Sequence, residues 1–474
     1  MKKLFIYIVF ATAVSTQQSC KKDLNALPES SRVAESVITD GKTAEIALNG
    51  AYYNFANANP RKTSWQYHEL PPACLAGYMG YAFGLLPEEE NMNASLAFTD
   101  YWGESYRLLN TVNNALKGIS SLADGDFAGD RKKEIIGELH FLRAYAHFKL
   151  FSYYGVWFDI NSPLGVLLRD EASTKANISK ARSTVKDSYD FILADLDDAS
   201  ANAASARPNY YATKWAAMVL KMRVLMSRGA AGDHAEIITL ANTIIQTSPY
   251  QLEPNLVDIF HSKGLASNEV ILGLKPQANQ EQDYYSRSYQ YWPFHSAGFV
   301  AKGALKDLLT GDPRQAWMIG SANPYSAYSP NTFFFTKYMI ENGTPTTVSE
   351  TYYAIRLSEV YLLRAEAIVR SGGSLATART DVKNVMSHAG VIDFTAVDNA
   401  GTPEDLLLQI YYETVRNLVT EDGQEWMALL RLDFNTVKLL KPTITKKEQY
   451  IIPIPHSEFV YNPEIGDQNP GYDK

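Results

Sequence analysis

The stretch 131–154, RKKEIIGELHFLRAYAHFKLFSYY, decides the fold. Ile135, Leu139, Leu142, Ala146, Leu150 and Tyr153 recur in it at steps of three and four, the spacing of one face of an α-helix. Working outward, the same spacing predicts helices over Thr43–Phe55, Asp100–Ile119, Thr184–Ala199, Ala212–Arg228 and Asp233–Thr247. Beyond a long interruption it predicts Tyr353–Arg370, Ala376–Ala389, Pro403–Val419 and Gln424–Leu432. In Tyr353–Arg370 the apolar stripe is Leu357, Tyr361, Ala365 and Ile368. Arg356 with Glu359, and Glu366 with Arg370, lie off that stripe at spacings that predict surface ion pairs. Helices of similar length joined by short turns point to helix–turn–helix repeats, although no strict 34-residue period is visible.

Two stretches break the helical pattern. Residues 57–99 carry Pro60, Pro71, Pro72 and Pro87, and residues 249–350 are rich in Pro, Gly, Asn and Tyr. Irregular segments of this length inside a compact protein are usually functional or disordered. Their aromatic content argues against disorder, because such side chains need burial or a ligand.

Composition narrows the function. The 474 residues have a formal net charge of -8, which argues against nucleic-acid binding, since phosphate neutralisation needs a clustered excess of Lys and Arg. Thirty Tyr accompany 7 Trp and 20 Phe. Most of these are expected in the helical core; the rest suit a surface that needs a flat apolar face with a hydroxyl. No nucleophile elbow or phosphate loop is present, and the eight His show no metal-ligand spacing. Glu88-Glu89-Glu90 reads as a solvated loop edge rather than a catalytic carboxylate pair.

The N-terminus has its own signature. Met1-Lys2-Lys3 is a short positive region, followed by an apolar run from Leu4 to Val14 that is too short to span a bilayer. Small and polar residues then lead to Cys20, so residues 1–19 read as a lipoprotein signal peptide and Cys20 as the lipidated residue. With Cys20 so used, Cys74 is expected to be an unpaired, buried small hydrophobe.

Several segments in order resemble the SusD/RagB family: Ala47-Leu48-Asn49-Gly50-Ala51-Tyr52; Trp102, Tyr106, Asn110 and Asn113; Glu138 to Tyr145 running on to Tyr154-Gly155; Arg182-Ser183-Thr184; and Ile355 to Ala367. The tail is the most specific match, with Ile452-Pro453-Ile454-Pro455, Asn462-Pro463 and Gln468-Asn469-Pro470-Gly471-Tyr472. Thr414, Glu425 and Ala428 stand where that family more often has Arg, Arg and Asp, which puts local salt bridges in doubt. The resemblance implies a mainly α fold: a right-handed tetratricopeptide-like helix-pair scaffold supporting an irregular loop-rich subdomain. It divides the mature chain into an N-terminal half, 20–245, with the loop 57–99, and a C-terminal half, 246–474, with the insert 249–350 and the helices of 353–432.

The resemblance also implies a role. It is that of a non-catalytic lipoprotein, held in the outer membrane through lipid on Cys20 and facing the exterior, with no cofactor and no metal. Such a protein binds an oligosaccharide and delivers it to a SusC-like TonB-dependent transporter; the alternative is a peptide or protein-fragment receptor with the same partnership. Sugar rings stack on flat aromatics, and aromatics with few torsions lose little entropy on binding. The expected ligand-binding residues are therefore the aromatics of the two irregular stretches: Trp65, Tyr67, Tyr78 and Tyr81 in the first, and Tyr285, Tyr289, Tyr291, Trp292 and Trp317 in the second. Tyr284, Tyr325 and Tyr328 are further candidates, and Trp65 and Trp292 lead the list. Gln66, Asn91, Asn93, Asp283, Arg287 and Gln290 are the polar companions expected. Trp102 and the charged residues of the matched motifs are expected to be structural.

Overall fold

The computed structural model describes residues 37–59, 62–63, 65–85, 96–275, 287–291, 297–321, 332–338 and 345–473. Among them are ten helices of ten residues or more: α1 Gly41–Ala56, α2 Gln66–Leu75, α3 Leu96–Ser120, α4 Arg131–Tyr154, α5 Val185–Asn202, α6 Lys214–Arg228, α7 Asp233–Thr247, α8 Leu357–Arg370, α9 Leu375–His388 and α10 Pro403–Leu418. Local chemistry sets several of their ends. Asp40 accepts from the Thr43 amide while the Thr43 hydroxyl caps the Asp40 amide, closing a capping box on α1. Thr402 does the same for α10, with Pro403 in the first turn, where its missing N–H costs nothing.

Apart from α2, each long helix packs on the next in chain order, so the helices stack as successive pairs. The order survives the interruption: α7 packs on α8 although more than a hundred residues separate them. The second half of α4 is buried on nearly every side, as a helix at the centre of a stack must be. Tyr145, His147, Lys149 and Ser152, polar residues it carries inward, are each hydrogen-bonded. His147 illustrates this: its Nδ1 lies 3.1 Å from the Arg143 carbonyl, and its Nε2 accepts from the Arg169 amide at 3.0 Å. Those partners select the neutral ring, and burial lowers the pKa of His147 to about 3. Gly137 lets α4 pass close to the end of α5, since a Cβ there would lie 2.5 Å from the Ala203 nitrogen.

Two expectations are corrected. Residues 353–356 are not the start of a helix; Tyr352–Arg356 forms strand β8, antiparallel to β4 (Val270–Leu274) and wholly buried. Its aromatic and β-branched side chains suit a buried ribbon, and the helix begins only at Leu357. Arg356 and Glu359 are consequently interior residues, not a surface pair. Arg356 donates to Glu421 at 2.6 Å and also pairs with Glu269, while Glu359 accepts from Arg223 at 2.5 Å. Glu366 and Arg370 do pair, at 2.9 Å, and Glu366 also holds Arg431 at 2.7 Å.

The irregular stretches are not featureless. The first contains the hairpin β1 (Asn57–Asn59) and β2 (Lys62–Thr63), helix α2 despite Pro71 and Pro72, and β3 (Met79–Tyr81). The second supplies β5 (Phe299–Ala301), β6 (Ile319–Ser321) and β7 (Phe333–Phe335). A sheet of order β3-β5-β7-β6 joins the two stretches, all neighbouring pairs antiparallel.

Candidate ligand-binding surface

The site rests on a buried ionic anchor. The turn after α10 runs through left-handed backbone at Thr420 (φ 63°), Asp422 (φ 54°) and Gly423 (φ 73°). The strain at two non-glycine residues persists because their side chains and carbonyls are all engaged. Asp422 receives Tyr145 (2.5 Å) and Lys149 (3.0 Å) from α4 and Arg223 (2.5 Å) from α6, and its Oδ1 lies 3.2 Å from His68 Nδ1 on α2. Burial alone would push its carboxyl up, but Lys149, His68 and Arg223 hold it well below the usual carboxylate range. Lys337, from the second stretch, donates to Glu421 (2.6 Å) and to the Val419 carbonyl (2.9 Å). One turn of the helical frame thus ties down both irregular stretches.

A second tie links the stretches to each other. Arg287 opens the short helix Arg287–Tyr291 and forms a fork onto Glu69 of α2, with Nε 3.1 Å from Oε2. Its guanidinium lies 3.2 Å from the centroid of Tyr338 and 4.5 Å from that of Tyr352. The amides of Arg287 and Ser288 donate to the Glu350 carboxylate at 2.6 and 3.1 Å.

On this base stands a ledge of exposed aromatics. In β3 Met79 and Gly80 are buried, whereas Tyr81, the last residue of this edge strand, is exposed. Tyr81 is directly opposite Phe299 of β5, with ring centroids 5.9 Å apart, and Phe83 meets Tyr81 edge-on at 5.8 Å. Tyr81 is 37% exposed, Phe83 50% and Leu85 67%, so a contiguous segment presents apolar faces to solvent. Gly298 leaves room between Tyr81 and the Gln290 side chain: a Cβ there would touch both, at 3.8 and 3.7 Å. The ledge therefore offers flat rings flanked by an amide, the combination that receives a ligand with apolar faces and hydroxyl edges.

The expected residues separate sharply. Tyr81 and Gln290 come together on the ledge, and Tyr289 is half-buried in the same short helix. Trp65, a leading candidate, is corrected: it is fully buried, its indole N–H donates to the Phe55 carbonyl at 2.9 Å, and its ring stacks on His68. Tyr67 is buried with its hydroxyl on Asp100 (2.9 Å), Tyr78 with its hydroxyl 2.7 Å from that of Tyr411, and Tyr291 with its ring against Phe335. These rings are buried: Trp65, Tyr67 and Tyr78 fill joints between the first stretch and the helical frame, and Tyr291 packs inside the second stretch. Trp317 is half-buried on Phe260, beside β6 and so at the opposite sheet edge from Tyr81. Arg287 is an anchor rather than a ligand group. Tyr284, Tyr285, Trp292, Tyr325, Tyr328, Asn91, Asn93, Asp283 and Cys20 lie outside the described residues, as does the side chain of Gln66. Cys74 is buried and forms no disulfide among the described residues, and the indole N–H of Trp102 donates to Glu458 at 3.0 Å. Phe83, Phe299 and the Asp422 turn were missed; only the aromatic spacing around Tyr81 signalled the first.

A stack of helix pairs carrying a loop-built aromatic ledge defines a scaffold-and-platform protein. Residues 27–226 match the family described as "Starch-binding associating with outer membrane", and residues 278–436 match the SusD family; the chain belongs to the SusD/RagB family. It is 22% identical to a SusD-like protein (P38) of Formosa agariphila, over 99% of each chain. Among solved structures it is similar to a SusD superfamily protein from Bacteroides thetaiotaomicron, with a TM-score of 0.74 at 22% identity, covering 90% of this chain and 99% of that one. It is also similar to a laminarin-binding SusD-like protein, with a TM-score of 0.71 at 19% identity, covering 92% of this chain and all of the other. Among the described residues, no helix is long and apolar enough to cross a membrane.

Proposed function

We propose that this chain is a non-catalytic, lipid-anchored protein of the outer cell surface that binds oligosaccharide on the Tyr81–Phe83 ledge and delivers it to a SusC-like TonB-dependent transporter. The observation that carries the reading is the ledge itself. Soluble proteins bury contiguous aromatics unless they serve a contact, and here three apolar side chains within five residues stay exposed on a base anchored by buried charge. The family's association with starch and the outer membrane, and the laminarin-binding protein of the same fold, favour a glycan over a peptide. Rings held by a sheet and a buried Arg–Glu fork are pre-ordered, so little entropy is lost when a sugar stacks on them.

The test is calorimetry of the mature chain against a panel of neutral glucans, laminarin oligosaccharides included, and oligopeptides. A glucan is expected to bind, and Tyr81→Ala with Phe83→Ala to abolish that binding without altering the fold. Binding of peptides alone, or glucan binding indifferent to both substitutions, would refute the reading. The delivery step is checked by co-purification of a TonB-dependent transporter from outer membranes, and the anchor by loss of the protein from that membrane in Cys20→Ser.

A further inference from the structure

A second recess lies away from the ledge. It is an open cleft of about 640 Å³ between the segment before α6, the loop after α7 and the residues preceding β8. Its size falls within the range of small-ligand pockets. Its walls are fixed by hydrogen bonds: the Asn209 side-chain Nδ2 donates to the Leu265 carbonyl at 2.8 Å, and the Gly273 backbone amide donates to the Asn209 carbonyl at 2.8 Å.

The lining is unlike the rest of the molecule. The chain carries a net charge of -8, yet the cleft is lined by Arg207, Lys263 and Lys275 and by no Asp or Glu. Two of these cations are partly committed. Lys263 pairs with Glu253, while Arg207 lies over Tyr211 with its Nη1 3.8 Å from Glu138. Lys275 is exposed and has no carboxylate partner among the described residues; its ammonium stands 5.6 Å from the centroid of Tyr210. Tyr210 and Tyr250 supply flat apolar surface in the same recess. A pocket for a neutral sugar needs rings and hydroxyl partners but not an ammonium that has no carboxylate partner among the described residues beside one of the rings.

We propose that this cleft is a second binding site, for a saccharide carrying a carboxylate or sulfate. The pyranose packs against Tyr210 and Tyr250, and Lys275, assisted by Arg207, receives the anionic group through charge-assisted hydrogen bonds. The site is independent of the ledge and does not require the ledge to bind anything.

The experiment titrates the full mature chain with trigalacturonate, with a monosulfated trisaccharide and with neutral trigalactose, followed by calorimetry and by NMR shifts. At least one anionic probe is expected to bind and the neutral one to bind at least tenfold more weakly. Lys275→Gln is expected to weaken the anionic probe about tenfold, and Tyr210→Ala to weaken it comparably. Raising the salt concentration should weaken it further. The Tyr81→Ala, Phe83→Ala variant should bind it unchanged, which separates this site from the ledge. Both cleft substitutions alter side chains with solvent access, and circular-dichroism melting confirms that the variants fold. The proposal is overturned if neither anionic probe binds, if the neutral trisaccharide binds equally well, or if the affinity follows the ledge variant instead of Lys275.

Discussion

Trp65 and Tyr81 lie sixteen positions apart in one irregular stretch, and their surroundings are opposite. The indole of Trp65 is sealed between Phe55, His68 and Tyr145, whereas Tyr81 keeps more than a third of its surface in water. Both are aromatic, both precede or follow prolines, and both were expected on a stacking surface, with Trp65 the leading candidate. The difference lies in what each side chain joins. Trp65 fills the joint between α2 and the helical frame, where dense packing leaves no free ring face. Tyr81 ends β3, the edge strand of a small sheet, and keeps a face in solvent there. Aromatic richness in a loop therefore marks two populations: one fastens the loop and the other presents it.

The sharpest way to break this comparison is to remove a fastener. Arg287→Met leaves Glu69 buried without its cation, and urea unfolding should show a loss of about 3–5 kcal/mol. Glycan binding should fall with it, because the ledge is carried on the same base. Trp65→Ala should cost about 3–5 kcal/mol through the cavity it leaves, whereas Tyr81→Ala should change stability by less than about 0.5 kcal/mol. Ligand affinity should follow the reverse order, with Tyr81→Ala weakening glycan binding by about 1–3 kcal/mol. If Trp65→Ala stays folded and loses affinity while Tyr81→Ala does not, the division into fastener and platform is wrong.

A further expected effect is pH-dependent. Glu425 is buried near the Asp422 turn with one oxygen accepting from the Thr420 amide at 3.2 Å, and burial raises its pKa from 4.5 to about 8. A raised carboxyl favours folding while it is protonated in the folded chain; that contribution is full below pH 4.5 and is lost as pH rises through 8. Glu425→Gln keeps the shape without the titration. It should raise the melting temperature at pH 8.5 relative to the wild type and leave it nearly unchanged at pH 5. The smallest effect belongs to the exposed pair Lys383–Asp398, 2.8 Å apart, whose removal should cost about 0.5 kcal/mol or less in unfolding measurements.

The helical frame was legible because its signals are local. The steps of three and four in residues 131–154 correspond to α4 at the same boundaries, and nine of the long helices stand where periodicity placed them, with α8 starting at Leu357 instead of Tyr353. Helix α2 was hidden by Pro71 and Pro72, which normally argue against a helix, and β8 by its continuity with the apolar stripe of α8. Of the candidate site, Tyr81 and Gln290 were legible as an aromatic and a companion in separate stretches. Their meeting was not, because it depends on β3 pairing with β5 across more than two hundred residues.

The sequence by itself determined the order of the helices and the two places where the chain leaves them, since each follows from spacing and composition within a short window, and its motifs from Ala47 to Tyr472 carried the family resemblance. Only the tertiary structure decided which aromatics are walls and which are surface. Burial is a property of neighbours distant in the chain: Asp422 and Arg287, through their buried partners, choose which ring faces are covered and which meet solvent.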